Sequence, residues 1–216
     1  MSAAERAFFG LLGGTFDPIH HGHLRLAIEV AEALELDHVR LVPSADPPHR
    51  AQVFAQAERR FEMAALACDR AGRLVADDSE LRRAGPSYTV DTLARFRERQ
   101  PEASIVFIVG DDAFAQLPSW HRYEALTDYA HIVVVNRPGV TVPQHEALAG
   151  WVDGRIVDDV AILRSRPAGG IFFLLMPVLD IASSDIRERC RTGRSIEYLT
   201  PLPVVELIER LALYRD

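Results

Sequence analysis

Cysteine is scarce in this chain. Cys68 and Cys190 are the only two among 216 residues, lie far apart, and belong to no Cys-x-x-Cys pair. That excludes a disulfide framework and a zinc knuckle and fits a reducing cytosol, with both thiols expected as small buried hydrophobes. Long apolar runs are lacking as well. The run Phe8–Leu12 is too short for a secretory core and has no Ala-x-Ala site after it. No stretch approaches the ~20 apolar residues of a membrane-spanning helix, so a soluble cytoplasmic protein with no membrane partner is expected. Positive charge is not in excess: 24 Lys and Arg against 31 Asp and Glu leave a net charge of −7. A nucleic-acid binder normally carries a basic footprint, so no nucleic-acid partner is expected. Anionic ligands must instead be held by a few local groups against the global field. Walker A and Gly-x-Gly-x-x-Gly motifs are missing too, which argues against a P-loop kinase and a hydride-transfer enzyme.

What is present is an ordinary globular composition, 48% hydrophobic and 25% charged, long enough for one domain over residues 1–216 with a substantial core. Short apolar runs alternate with amphipathic segments. Phe8–Leu12 reads as a buried strand, followed by Gly13-Gly14-Thr15 as a turn. Leu24, Ala27, Ile28, Ala31 and Leu34 recur at helical spacing. Strands are expected at Val39–Val42, Leu74–Ala76, Ile105–Val109, Ile132–Val135 and Ile171–Leu175, with helices around Phe61–Cys68, Thr89–Arg99, Asp185–Arg191 and Val204–Leu211. From Val140 to Gly170 the pattern is poor, and Val152, Ile156, Val157, Ile162 and Leu163 suit short strands or a surface excursion. Unalternating strands separated by helices predict an α/β fold with a doubly wound, mostly parallel, Rossmann-like sheet. Ligands in such sheets bind beyond the carboxyl ends of the strands. That rule directs attention to Gly13–His23, Pro43–Arg50, Gly110–Trp120 and Asn136–Gly139, expected to converge on one crevice.

The segment Gly13-Gly14-Thr15-Phe16-Asp17-Pro18-Ile19-His20-His21-Gly22-His23 joins the first strand to the first helix. Glycines let backbone N–H groups approach a ligand, and a helix N-terminus attracts phosphate. His20 and His23 are three apart and can share one side of the first turn. The same His-x-x-His spacing also suits a metal pair, although Asp17 is its only acidic neighbour. Further on, Ser183 and Ser184 stand at a helix start with Arg187 one turn in, an arrangement suited to an anion. An ordinary helix cap with a surface arginine is the simpler alternative.

Gly13–Leu24 resembles the signature of the HxGH nucleotidyltransferases, and Ile181–Arg187 (IASSDIR) resembles their second motif, ISSTxIR. Ala182 and Ser184 depart from that pattern, losing one hydroxyl and keeping another. Pro47-Pro48-His49-Arg50, Pro86-Ser87-Tyr88-Thr89, Gly110-Asp111-Asp112, Pro118-Ser119-Trp120 and Arg137-Pro138-Gly139 follow in the order of the bacterial nicotinate-nucleotide adenylyltransferases. The resemblance implies ATP and nicotinate mononucleotide as substrates, in NAD biosynthesis. It places Gly13, Gly14, Thr15, Phe16, Gly22, Gly110, Asp111, Ser183, Ser184 and Arg187 about ATP. Asp17, Pro48, His49, Arg50, Tyr88, Thr89, Trp120 and Arg137 would hold the acceptor, with Trp120 stacked on the nicotinate ring. Family members also carry an arginine at the position of Arg60, three before Met63.

The implied chemistry is attack of the acceptor 5′-phosphate on the α-phosphorus of ATP. A phosphate monoester, with a second pKa near ~6, is already ionised at neutral pH and needs no general base. His20 and His23 are then hydrogen-bond donors to the triphosphate and the transition state, assisted by Mg²⁺ carried mainly on ATP. Nicotinamide mononucleotide and phosphopantetheine are the alternative acceptors, and a non-catalytic nucleotide sensor is the alternative outside catalysis.

Overall fold

The computed structural model describes residues 6–47, 52–69, 72–136, 146–177 and 179–215. Along the chain run β1 (Phe8–Gly14), α1 (His21–Ala33), β2 (Val39–Pro43), α2 (Ala57–Cys68), β3 (Leu74–Ala76), α3 (Thr89–Arg99), β4 (Ser104–Gly110) and α4 (Asp111–Ala115). They are followed by α5 (Leu126–Tyr129), β5 (His131–Asn136), α6 (Glu146–Val152), α7 (Val160–Ser165), β6 (Ile171–Leu175), α8 (Ser183–Arg191) and α9 (Leu202–Arg210). The sheet order is β3-β2-β1-β4-β5-β6. β1 pairs parallel with β4, with Leu12 opposite Ile108; β4 and β5, and β5 and β6, are parallel as well. The chain winds from β1 out to β3, returns to β4 and winds on to β6. Right-handed crossovers in opposite directions put helices on both faces, which makes the fold doubly wound.

The burial pattern gives the reason. Phe8, Phe9 and Leu11 of β1, Ile105, Val106 and Ile108 of β4, and Ile132, Val133 and Val134 of β5 are at most 1% exposed. Consecutive strand residues point to opposite faces, so both faces of these strands are covered. At the edge, Val75 of β3 and Leu175 of β6 are exposed.

The described residues pack as two compact units. One contains β1 as far as Gly13, residues 30–39, and the chain from α3 through β6. Within it Arg97 of α3 gathers carbonyls: its guanidinium donates to the oxygens of Gln100, Pro101, Ala103, Tyr129 and Pro167. Ser104 Oγ donates to the Leu163 carbonyl at 2.8 Å, fixing the end of α7 to β4. The other unit contains the chain from Gly14 to Glu29, β2 from Arg40, α2, β3, α8 and α9. There α9 packs on α2 and buries Val204, Val205, Leu207 and Ile208.

Most of the expected elements are present, with three corrections. Gly13 and Gly14 belong to β1 rather than to a turn. Residues 146–170 hold two short helices, α6 and α7, where strands or a surface excursion were expected. Trp151, Val157 and Leu163 there are buried, and an isolated parallel bridge joins Ile156 to Ile171. Cys68 and Cys190 are half-buried rather than enclosed, and burial pushes the Cys68 thiol up to about 11. Among the described residues no helix is long and apolar enough to cross a membrane.

His131 opens β5 with no solvent exposure. Its Nδ1 accepts from Gly170 N and its Nε2 donates to the Arg166 carbonyl, each at 2.9 Å, so the ring is neutral with its proton on Nε2. Burial holds its pKa down to about 4, against an ordinary 6.5. The unfolded chain binds a proton here near 6.5 and the folded chain does not. Stability contributed by the neutral ring is therefore present above that pH and lost as pH falls toward 4, by up to about 1.4 kcal/mol per pH unit. An NMR titration of the histidine ring carbons should find His131 neutral at pH 5.5, and urea unfolding should show lower stability at pH 5 than at pH 7. A His131 midpoint near 6.5 would contradict this account.

Candidate active site

The segment from Gly14 to α1 folds back on itself before the helix begins. Phe16 has a left-handed φ of 48° and is 2% exposed. That conformation costs a non-glycine residue about 1 kcal/mol or more and persists only where packing imposes it. Its ring meets His23 edge-on at 5.0 Å, and a Cβ on Gly14 would lie 2.8 Å from that ring. Gly14 is thus needed for space beneath Phe16.

His20 and His23 stack with ring centroids 3.6 Å apart and planes 24° from parallel. The His20 backbone N–H donates to His23 Nδ1 at 3.3 Å. An N–H can only donate, so His23 Nδ1 is an acceptor and the neutral ring carries its proton on Nε2. His20 is 5% exposed, and its Nδ1 has no hydrogen-bond partner among the described residues. Burial lowers the His20 pKa to about 4, with a smaller contribution from His21. Burial, then His20, holds His23 well below its ordinary value. The pair is therefore neutral at pH 7, two imidazoles rather than two cations. Gly22 makes this packing feasible, since a Cβ there would sit 2.9 Å from His20 Nδ1 and 3.4 Å from the Leu179 carbonyl. Gly22 lies inside the first turn of α1.

The second motif closes on the first. Ser183 Oγ donates to the Pro18 carbonyl at 2.9 Å, and Arg187 Nη1 donates to the Asp17 carbonyl at 2.7 Å. The Arg187 guanidinium also lies over the Phe54 ring, 4.4 Å from its centroid. The N-cap of α8 is Ala182, with no side-chain capping bond, so Ser183 is a helical residue rather than the cap. Ser184 is exposed at the next position. The first N–H groups of an α-helix have no intrahelical partner, and an alanine cap leaves them open to an anion.

Beneath these loops lie a buried carboxylate and a buried guanidinium. Asp17 is 4% exposed and accepts from Phe54 N at 2.7 Å, Ala55 N at 3.1 Å and Tyr214 OH at 2.7 Å. Both of its carboxylate oxygens are engaged by the chain itself. Arg60, 1% exposed, donates to the carbonyls of Thr15 (2.8 Å), Ser44 (2.5 Å), Ala45 (3.1 Å) and Ala55 (3.0 Å). Thr15 thus turns its carbonyl inward to Arg60. Pro48, His49, Arg50 and Arg137 lie outside the described residues.

In the other unit, Tyr88 is the N-cap of α3, without a side-chain cap bond, and Thr89 is the first helical residue. The Tyr88 ring lies 4.3 Å from His121, and half-buried Trp120 meets Phe107 edge-on at 6.3 Å. Gly110 is the N-cap of α4; Gly13, at the corresponding end of β1, lies beside the Phe107 ring. The Asp111 and Asp112 carboxylates accept from the N–H groups of Asp112 and Ala113, each at 2.8 Å. One oxygen of each carboxylate therefore bonds to an N–H of the first turn of α4.

The cytidylyltransferase-like family model matches residues 11–189. A Chromohalobacter salexigens protein named "probable nicotinate-nucleotide adenylyltransferase" is 48% identical over 100% of this chain and 98% of its own. A Marinobacter nauticus protein of the same name is 46% identical over 94% and 95%. The chain belongs to the nicotinate-nucleotide adenylyltransferase family. The fold agrees: the nicotinic acid mononucleotide adenylyltransferase of Plasmodium falciparum, solved with APC and with NaAD, superposes with a TM-score of 0.70 at 17% identity. Each alignment covers 97% of this chain and 98% of that one.

Within this adenylyltransferase chain, spacing alone located the histidines and the start of α8. It did not reveal Tyr214, because a single tyrosine far downstream carries no pattern. Arg60 left a faint signal, a charge at helical spacing from buried Met63 and Ala64. The sequence contains no lysine, so guanidinium groups are its fixed side-chain cations. Replacing Arg60 by methionine would strand buried carbonyls of three loops and should lower the free energy of unfolding by about 3–5 kcal/mol. Urea denaturation measures this directly, and a loss below about 1 kcal/mol, the scale of one net hydrogen bond, would refute the anchoring role.

Proposed function

We propose that the chain transfers the adenylyl group of ATP to nicotinate mononucleotide, with His20 and His23 as neutral hydrogen-bond donors to the triphosphate. The carrying observation is the stacked pair, in which His23 Nδ1 is occupied by a backbone N–H and Nε2–H is left to donate. An acceptor phosphate oxygen forms a bond to the α-phosphorus as the bond to the pyrophosphate oxygen breaks, and that electron pair leaves with pyrophosphate. The nucleophile is already an anion, so no proton need be removed from it. Fixed dipoles in a buried setting stabilise the developing charge without reorganising. The open N-terminus of α8, with Ser184 and Arg187, and the backbone of Gly13–Phe16 take further phosphate oxygens. Gly110 and Asp111 serve the nucleotide ribose.

On the acceptor side, Trp120 presents a flat face to the nicotinate ring. The uncapped N–H groups at Thr89 suit its carboxylate. A carboxylate gains from a helix N-terminus where a neutral amide gains less, which favours nicotinate over nicotinamide mononucleotide. Pro48, His49, Arg50 and Arg137 complete this side by family resemblance. Among the described residues no group of three or more His, Cys, Asp or Glu is placed to hold a metal. Mg²⁺ would be carried by the ATP phosphates and neutralise their charge. An acidic chain of net charge −7 acting on mononucleotides fits the cytoplasm, with neither nucleic acid nor membrane as partner.

His20→Ala should lower kcat by ~10²–10³ in a folded protein, as for other transition-state donors. Near-normal turnover would rule out that role. Trp120→Ala should raise the KM for the acceptor roughly tenfold and leave that for ATP nearly unchanged, since ring stacking is worth about 1–3 kcal/mol. Both are read in a pyrophosphate-release assay with ATP, Mg²⁺ and each acceptor in turn. Faster turnover with nicotinamide mononucleotide or phosphopantetheine would overturn the choice of acceptor.

A further inference from the structure

The two peptide groups that flank His20 are both held by one short downstream segment. Thr200, 1% exposed, donates from Oγ1 to the Ile19 carbonyl at 2.8 Å. The neighbouring Leu199 carbonyl accepts from His21 N at 2.9 Å. The C=O entering His20 and the N–H leaving it thus end on adjacent residues. That segment is itself fixed. Leu199 N bonds to the carbonyl of buried Ile196, and the Pro201 carbonyl accepts from Val204 and Val205 N at the start of α9. Between them Tyr198 has a left-handed φ of 61°, although its side chain is 89% exposed. The conformation is held for the sake of the backbone, since so exposed a ring contributes little packing to maintain it.

We propose that Thr200 is a positioning residue for His20, its hydroxyl fixing the Ile19–His20 peptide and through it the imidazole. This rests on the assignment of His20 as a phosphate donor. Removing the hydroxyl leaves the Ile19 carbonyl buried without its donor, so the peptide must turn to find another partner. The ring turns with it, away from the stacked geometry it shares with His23.

The test compares Thr200→Val, which keeps the shape and removes the donor, with Thr200→Ser, which keeps the donor. Pyrophosphate release is measured with ATP and nicotinate mononucleotide at a temperature where circular dichroism shows each protein folded. T200V should lower kcat about tenfold or more, as displaced catalytic groups do, with little change in acceptor KM. T200S should recover most of that rate. The His20 ring resonances should shift in T200V while those of His131 stay in place. A T200V enzyme with wild-type kcat, a T200S enzyme as slow as T200V, or unmoved His20 resonances would each overturn the proposal. If T200V does not fold, Thr200→Cys, similar in size and a weaker donor, takes its place: an intermediate kcat supports the proposal and a wild-type kcat overturns it. A wild-type chain that releases no pyrophosphate with any acceptor would break the catalytic assignment instead, while the His20 resonances would still report on the Thr200 contact.

Discussion

The architecture around the histidine loop depends on the burial of the Asp17 carboxylate. A carboxylate taken out of water costs several kcal/mol unless its lone pairs are met. Two backbone N–H groups and the Tyr214 phenol meet them, while Arg187 takes the Asp17 carbonyl. One residue therefore fixes the start of the histidine loop, the segment before α2, the helix of the second motif and the chain beyond α9. Arg60 does the converse, a buried cation satisfied entirely by carbonyls. Neither charge is free to seek a ligand. They hold in place the groups that are.

This division of labour explains why the histidines can be neutral. Burial holds both imidazoles uncharged at pH 7, with smaller contributions from His21 on His20 and from His20 on His23. Two imidazolium rings 3.6 Å apart would repel strongly in so dry a setting. Neutral donors avoid that cost and still supply directed N–H dipoles. Fixed dipoles of this kind owe their strength to the surrounding backbone and not to the rings.

Legibility in the sequence followed the range of the interactions. Leu74–Ala76, Thr89–Arg99 and Ile171–Leu175 match β3, α3 and β6 end to end, because local periodicity and turn residues fix them. Residues 146–165 resisted, since two helices of seven and six residues are too short to show a period. Val157 N donates to the Ile171 carbonyl and Ile171 N to the Arg155 carbonyl, strand-like bonds beside the helices that mix the two patterns. In the candidate site, spacing showed that His20 and His23 could share one side of the first turn of α1 and that Ser183 and Arg187 lie one turn apart on a helix. The contacts of Asp17 could not be read from spacing, because they depend on donors from Phe54, Ala55 and Tyr214. Side chains that act on distant backbone groups leave no periodic trace.

The order in which the chain is made adds a consequence. Thr200 lies 181 residues beyond Ile19, and Tyr214 lies 197 beyond Asp17. At ordinary rates of synthesis the histidine loop leaves the ribosome on the order of tens of seconds before either arrives. During that interval the strands beside it can already pair, but the loop has neither the bracket around His20 nor the phenol on Asp17. The nascent protein would thus carry a sheet before it carries a finished histidine loop, which would be completed in one late step.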